Sequence, residues 1–252
     1  MTALRLAVAE LTSLPLRVGD ASAATRRLSR LWYPVVGAAL GLATTFVVAA
    51  VRVLFFSREY LVPATIGVAV LAALAGGRHL IGLAAIVDAE DSGRGGTIAL
   101  VVVLLLQIAG LALCLDLERG SLGIVLAATV GRTALACHGP ARLGRGAAVA
   151  LSAVVVAGAA LAGYVDTHAT LAGDFIRFGW TGVSGAVLAV VLGLVAGMLT
   201  ARLAVRRVGT LGDDALGAVV EVATTVTLLL VAATAAHCDA PAIAWLPDLL
   251  CG

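Results

Sequence analysis

Along the chain, apolar residues fall in long continuous runs, and charged residues are confined almost entirely to the short stretches between them. The runs can be placed at residues 34–56, 62–87, 97–115, 121–138, 147–165, 181–204 and 215–236. About 20 apolar residues wound as a helix cross the roughly 30 Å hydrocarbon core of a bilayer. No water reaches the backbone there, so a spanning segment is either a helix or a strand of a closed barrel. Barrel strands alternate apolar and polar positions, and these runs do not. The pattern therefore predicts an all-α fold, a polytopic helical membrane bundle of about seven transmembrane helices. No linker or composition shift divides it, so residues 1–252 are expected to form a single integral-membrane domain.

Composition agrees: 61% of the 252 residues are hydrophobic and 13% charged, which excludes a soluble globular class. Small residues recur within the runs ("GAALGLA", "AGAALAG", "GLVAG"), which permits close helix–helix approach. The net charge of +2 says little about partners; the expected partner surface is the lipid bilayer, and no nucleic-acid partner is expected. All 17 basic residues are Arg, a bias that the abundance of Ala, Val and Gly traces to a GC-rich genome. Cys114, Cys137, Cys238 and Cys251 show no C-x-x-C spacing, so neither a zinc site nor a redox motif is supported. No G-x-x-x-x-G-K-[ST] loop is present, which removes the soluble nucleotide-binding folds built on it. The first twenty residues lack the apolar h-region of a cleaved signal.

The arginines set an orientation. With a cytoplasmic N-terminus, nine of them (Arg17, Arg26, Arg27, Arg30, Arg94, Arg142, Arg145, Arg206, Arg207) fall inside, against three (Arg58, Arg119, Arg177) outside. That asymmetry follows the positive-inside rule. Seven spans would leave the tail outside, where Cys238 and Cys251 could pair in an oxidising compartment. Residues 88–96, 139–146 and 205–214 then emerge together on the cytoplasmic face, bringing Asp88, Glu90, Asp91, Asp213 and Asp214 onto one surface with Arg142, Arg145, Arg206 and Arg207. Carboxylates and guanidinium groups converging there suit a magnesium-bound, phosphate-bearing substrate, although solvated loop charges would look the same. Glu221, well inside the last run, requires a partner at that depth, and Arg132 is the candidate. His138, His168 and His237 form no ligand pattern and are read as non-functional.

Three blocks carry a resemblance. "LTSLPL" (11–16) with "YPVVGAALG" (33–41), "GGRHLIGLAAIVDA" (76–89) and "GTLGDDALGAVVEVATTV" (209–226) resemble, in order and spacing, the motifs of the cobalamin synthase family, the adenosylcobinamide-GDP ribazoletransferases. His79, Gly82 and Asp88 match that family's first signature, roughly G-G-x-H-x-D-G-x-A-D-T-x-D-G. Asp91 and Ser92 look like its later aspartate–serine pair, and Arg132 like its mid-chain helical arginine. Asp214, Gly217, Ala218 and Glu221 match the closing motif. The resemblance implies that α-ribazole, or its phosphate, is joined to adenosylcobinamide-GDP with release of GMP, in the plasma membrane of a bacterium with the active face cytoplasmic. It implies Mg2+ held by Asp88, Asp91 and Asp214, with His79 as base or hydrogen-bonder, and Arg142, Arg132 and Ser92 toward substrate.

The chain departs from the family pattern at Ile81 and Ala85, where the signature has aspartates, and at Ile86 in place of threonine. Positions 81, 85 and 88 share one helix face, so a face of three carboxylates is reduced to one. The loop between Asp88 and Asp91 is about twenty residues shorter than the family's, and Thr224 or Thr225 stands near the place of a second glutamate. These departures support an alternative, a non-catalytic family member acting as a corrinoid-assembly scaffold. A small-molecule transporter would instead require internal two-fold symmetry that the sequence does not show. A homo-oligomer is compatible with each reading.

Overall fold

The computed structural model describes residues 2–17, 19–55, 59–88, 94–138, 150–161, 179–209 and 212–239. Among them every regular element is helical: α1 (Ala3–Leu11), α2 (Ala23–Ser29), α3 (Tyr33–Phe55), α4 (Leu61–Leu74), α5 (Arg78–Asp88), α6 (Gly95–Asp116), α7 (Gly120–Cys137), α8 (Ala150–Leu161), α9 (Gly179–Val208) and α10 (Asp213–Asp239). A 3-10 turn, Arg30–Trp32, joins α2 to α3. Five described helices are long and apolar enough to cross a bilayer, and α4 with α5 makes a sixth, bent pair. With α8 in the place of the fifth expected run, this agrees with a bundle of about seven. The chain is a multi-pass helical membrane protein.

The second apolar run is where pattern and structure differ. The expected continuous helix over 62–87 is broken, and its halves meet at 88°. Gly76 and Gly77 cause the break, with φ of 70° and 67°, a region in which a Cβ is strained. Gly77 N–H donates to Ala72 O at 3.0 Å and Gly76 N–H to Ala73 O at 2.9 Å, the paired bonds of a Schellman motif. Helix α4 thus stops after 14 residues. Hydrophobicity alone could not reveal this, because α4 and α5 taken together are long and apolar enough for one span.

Helices α7 and α10 are the most enclosed of the spans. Val130, Val190, Val219 and Ala223, none of them exposed, centre the core. Glycines set the crossings: a Cβ on Gly37 would lie 2.6 Å from Ala128 O, so α3 rests backbone-to-backbone on α7. Buried Thr225 and Thr227 on α10 donate back to carbonyls one turn earlier, Thr227 to Ala223 O at 2.7 Å, which removes the cost of an unpaired hydroxyl in an apolar interior. Phe46, Val53, Leu54 and Ile98 remain largely exposed, the outer surface expected to face acyl chains.

Candidate functional site

Helix α5 packs across the first turns of α10, and two signature glycines make this possible. A Cβ on Gly82 would lie 2.6 Å from Asp214 O, and one on Gly217 would lie 2.9 Å from His79 O. Only glycine at both places lets the backbones approach so closely, and the crossing brings His79 and Asp214 to one cavity. The first and last motifs, separated by more than a hundred residues in sequence, meet there.

The cavity has a volume of about 500 Å3 and is completed from the N-terminal side by α1, by Arg30 and by the start of α3. Helix α1 buries Leu6, Ala7 and Leu11, and Glu10 on the same helix accepts hydrogen bonds from Tyr33 Oη at 2.7 Å and Ser29 Oγ at 3.3 Å. Arg78 fastens the break to the end of α1, donating from Nη2 to Thr12 O at 2.9 Å. Two nitrogens of cavity-lining side chains are then left over: Arg30 Nη1 and His79 Nε2 are both buried without a hydrogen-bond partner. Buried polar atoms are satisfied in the great majority of cases, so each of these two calls for a partner, a water or a polar group of a ligand. The Asp214 side chain is exposed to the same cavity.

A second cavity of about 470 Å3 lies between the C-terminal ends of α7 and α9, lined by Cys137, His138, Met198, Ala201, Arg202, Val205 and Arg206. His138 borders both cavities. Its Nδ1 lies 2.7 Å from Ala134 O. A carbonyl only accepts, so Nδ1 carries the proton and Nε2 keeps the lone pair of the neutral ring.

The residues expected from sequence fall in different places. His79 and Asp214 share the first cavity. Asp88 does not line it; its Oδ1 accepts the Gly96 N–H at 2.7 Å, satisfying a free donor at the start of α6. Ile81, 65% exposed, stands on the cavity wall at the position where the family signature has an acid. Asp91, Ser92 and Arg142 lie outside the described residues, as do Cys251 and the side chains of Asp213 and Cys238. Arg132 is interior, 2% exposed, beside a void with room for about one water that Gln107, Glu221 and Thr224 also line. Gln107 Nε2 donates to Glu221 Oε2 at 2.8 Å and to Thr225 Oγ1 at 3.0 Å. Arg132 Nε and Thr224 Oγ1 have no partner there.

Glu10, Arg30, Tyr33, Gln107 and His138 were not expected at these sites. Gln107 had a signal, being the lone amide in the apolar run 97–115. The others acquire a role only when distant helices meet.

The bundle and the polar cavity at one of its ends define a class, a multi-pass integral-membrane protein with a charged pocket at one face. The chain matches the model of the cobalamin-5-phosphate synthase family over residues 3–232, and it belongs to that family. It is 35% identical over 271 aligned positions to an adenosylcobinamide-GDP ribazoletransferase of Frankia casuarinae, covering 91% of this chain and 94% of the relative. No solved structure matches it.

Among the described residues no group of three or more His, Cys, Asp and Glu side chains is placed to hold a metal ion. A magnesium ion needs fewer, because it keeps water and takes one or two carboxylates with substrate phosphates. Asp214, open to the cavity, fits that smaller demand.

Proposed function

We propose that this protein is an adenosylcobinamide-GDP ribazoletransferase of the bacterial plasma membrane, with its site on the cytoplasmic face. The observation that carries the reading is the crossing of the two motif helices beneath a cavity holding Asp214, His79 and Arg30, in a chain of this family. In the reaction, a ribose hydroxyl of α-ribazole or its phosphate attacks the diphosphate of adenosylcobinamide-GDP. A new phosphodiester forms and GMP leaves.

Arg30 Nη1 and His79 Nε2 supply donors to the diphosphate oxygens, and Arg78, braced on Thr12, adds positive charge at the rim. Fixed donors of this kind act where charge develops and need no reorganisation during the reaction. Magnesium would be held by Asp214 together with substrate phosphate oxygens, and when bound it neutralises charge on the diphosphate. Asp91, Ser92 and Arg142, which the proposed orientation brings to the same face, complete the proposed set, while Asp88 stays with the Gly96 N–H.

Ile81 favours a second reading, a corrinoid-binding scaffold without turnover, because an apolar side chain holds an acid's position on the cavity wall. One assay separates the two. The purified full-length protein in nanodiscs, given both substrates and magnesium, is expected to release GMP and to stop when EDTA is added. Corrinoid binding with no GMP at any magnesium concentration would establish the scaffold and sink the transferase.

A further inference from the structure

A transfer between two substrates needs two seats and a residue common to both, and the structure has two cavities that share His138 in their walls. Building on the transferase reading, we propose that the groove between α7 and α9 seats the acceptor as an aromatic nucleoside 5′-phosphate. His138 at the join takes the proton of its attacking hydroxyl.

The groove suits that occupant. Met198, Ala201 and Val205 offer an apolar wall for a flat base, and about 470 Å3 accommodates a nucleotide. Arg202 and Arg206 are four residues apart on α9, so they project as neighbours from one face. Two guanidinium groups so placed bracket one phosphate, with planar forks that match its oxygens. The larger corrinoid donor is left to the other cavity, whose partnerless Arg30 and His79 nitrogens await its diphosphate.

His138 is oriented for its task by the chain itself. The bond from Nδ1 to Ala134 O selects the tautomer with a basic Nε2, as a carboxylate or carbonyl does for other working histidines. In the step, the hydroxyl O–H bond breaks and its proton passes to Nε2. The oxygen bonds to the phosphorus bearing the corrinoid, the P–O bond to GMP breaks, and GMP leaves with that electron pair. No further reactant is needed. A histidine that sequence spacing marked as non-functional thus becomes the base.

The test uses the full-length protein in nanodiscs. His138→Asn keeps a donor toward Ala134 O and removes the basic nitrogen. It is expected to lower kcat for GMP release by about 100-fold with both KM values within about threefold of wild type. Imidazole added to His138→Gly should restore part of kcat. Arg202→Gln with Arg206→Gln should raise the KM of α-ribazole 5′-phosphate about tenfold and leave that of the donor unchanged. Undiminished kcat in His138→Asn overturns the base, and a KM rise confined to the donor overturns the groove.

Occupancy is read independently of turnover at Cys137, which lines the groove. In protein carrying Cys114→Ala, Cys238→Ser and Cys251→Ser, α-ribazole 5′-phosphate should slow alkylation of Cys137 several-fold. No slowing, or slowing by anionic lipid in the nanodisc and not by the nucleotide, overturns the assignment. Slowing by the nucleotide in a wild type that releases no GMP would sink the transferase reading and uphold the groove.

Discussion

At the scale of single residues, the site is a contrast between what faces the cavity and what is shut away from it. Asp214 is open to the cavity, so Asp214→Asn should leave the fold intact and remove a charge that no neighbour replaces. GMP release is expected to fall about 100-fold, with the thermal midpoint in detergent unchanged. Ile81 faces the same space and is 65% exposed, so an acid there meets little desolvation cost. Ile81→Asp should therefore fold normally and lower the magnesium concentration needed for half-maximal activity. An unchanged magnesium dependence would show that this wall does not approach the metal. Deeper in, Arg132, Gln107, Glu221 and Thr224 surround a void that holds about one water. Glu221 is held by Gln107, and Arg132 lies close enough to feel its charge. Removing one member strands the others, a loss of about 3 kcal/mol for a buried charge without its partner. Arg132→Gln and Glu221→Gln should each lower thermal stability, and the double variant should lose less than their sum. Strict additivity would mean that the two do not interact.

At the scale of elements, two glycine devices decide the geometry. The pair Gly76–Gly77 ends α4 and turns α5 by 88°, which lays the first motif along the end of the bundle. At the α5/α10 crossing the contacts are backbone to backbone, so an added methyl has no flexible side chain to push aside. Gly217→Ala should cost about 1–3 kcal/mol by overpacking and, by separating α5 from α10, pull His79 away from Asp214. Activity should drop more than stability does. Activity and thermal midpoint falling in proportion would make the crossing a packing feature alone.

For the whole molecule, the ends of α1, α4, α7 and α9 and the beginnings of α3, α5, α6 and α10 gather at one end of the bundle. In the proposed orientation, argued from the arginine asymmetry, that end is the cytoplasmic one. In a variant without native cysteines, Gly212→Cys should react with an impermeant maleimide only after the cells are opened. Asp116→Cys, at the far end of α6, should react from outside. The reverse pattern would invert the molecule and place every proposed substrate on the wrong side.

The bilayer alone makes the helical architecture legible, because a span must be apolar along about twenty residues and must pair its own backbone. Motif order likewise marked His79, Gly82, Asp214 and Gly217 before any helix was placed. The break in the second run was not legible, since hydropathy averages over Gly76 and Gly77 and is blind to their left-handed backbone. Nor could sequence spacing assign Asp88, which shares a helix face with Ile81 yet spends its carboxylate on the Gly96 N–H. Glu10, Arg30, Tyr33 and His138 became cavity residues only through tertiary contact. A one-dimensional pattern records how each helix meets lipid; which side chains meet one another depends on crossings that glycine and bend geometry decide.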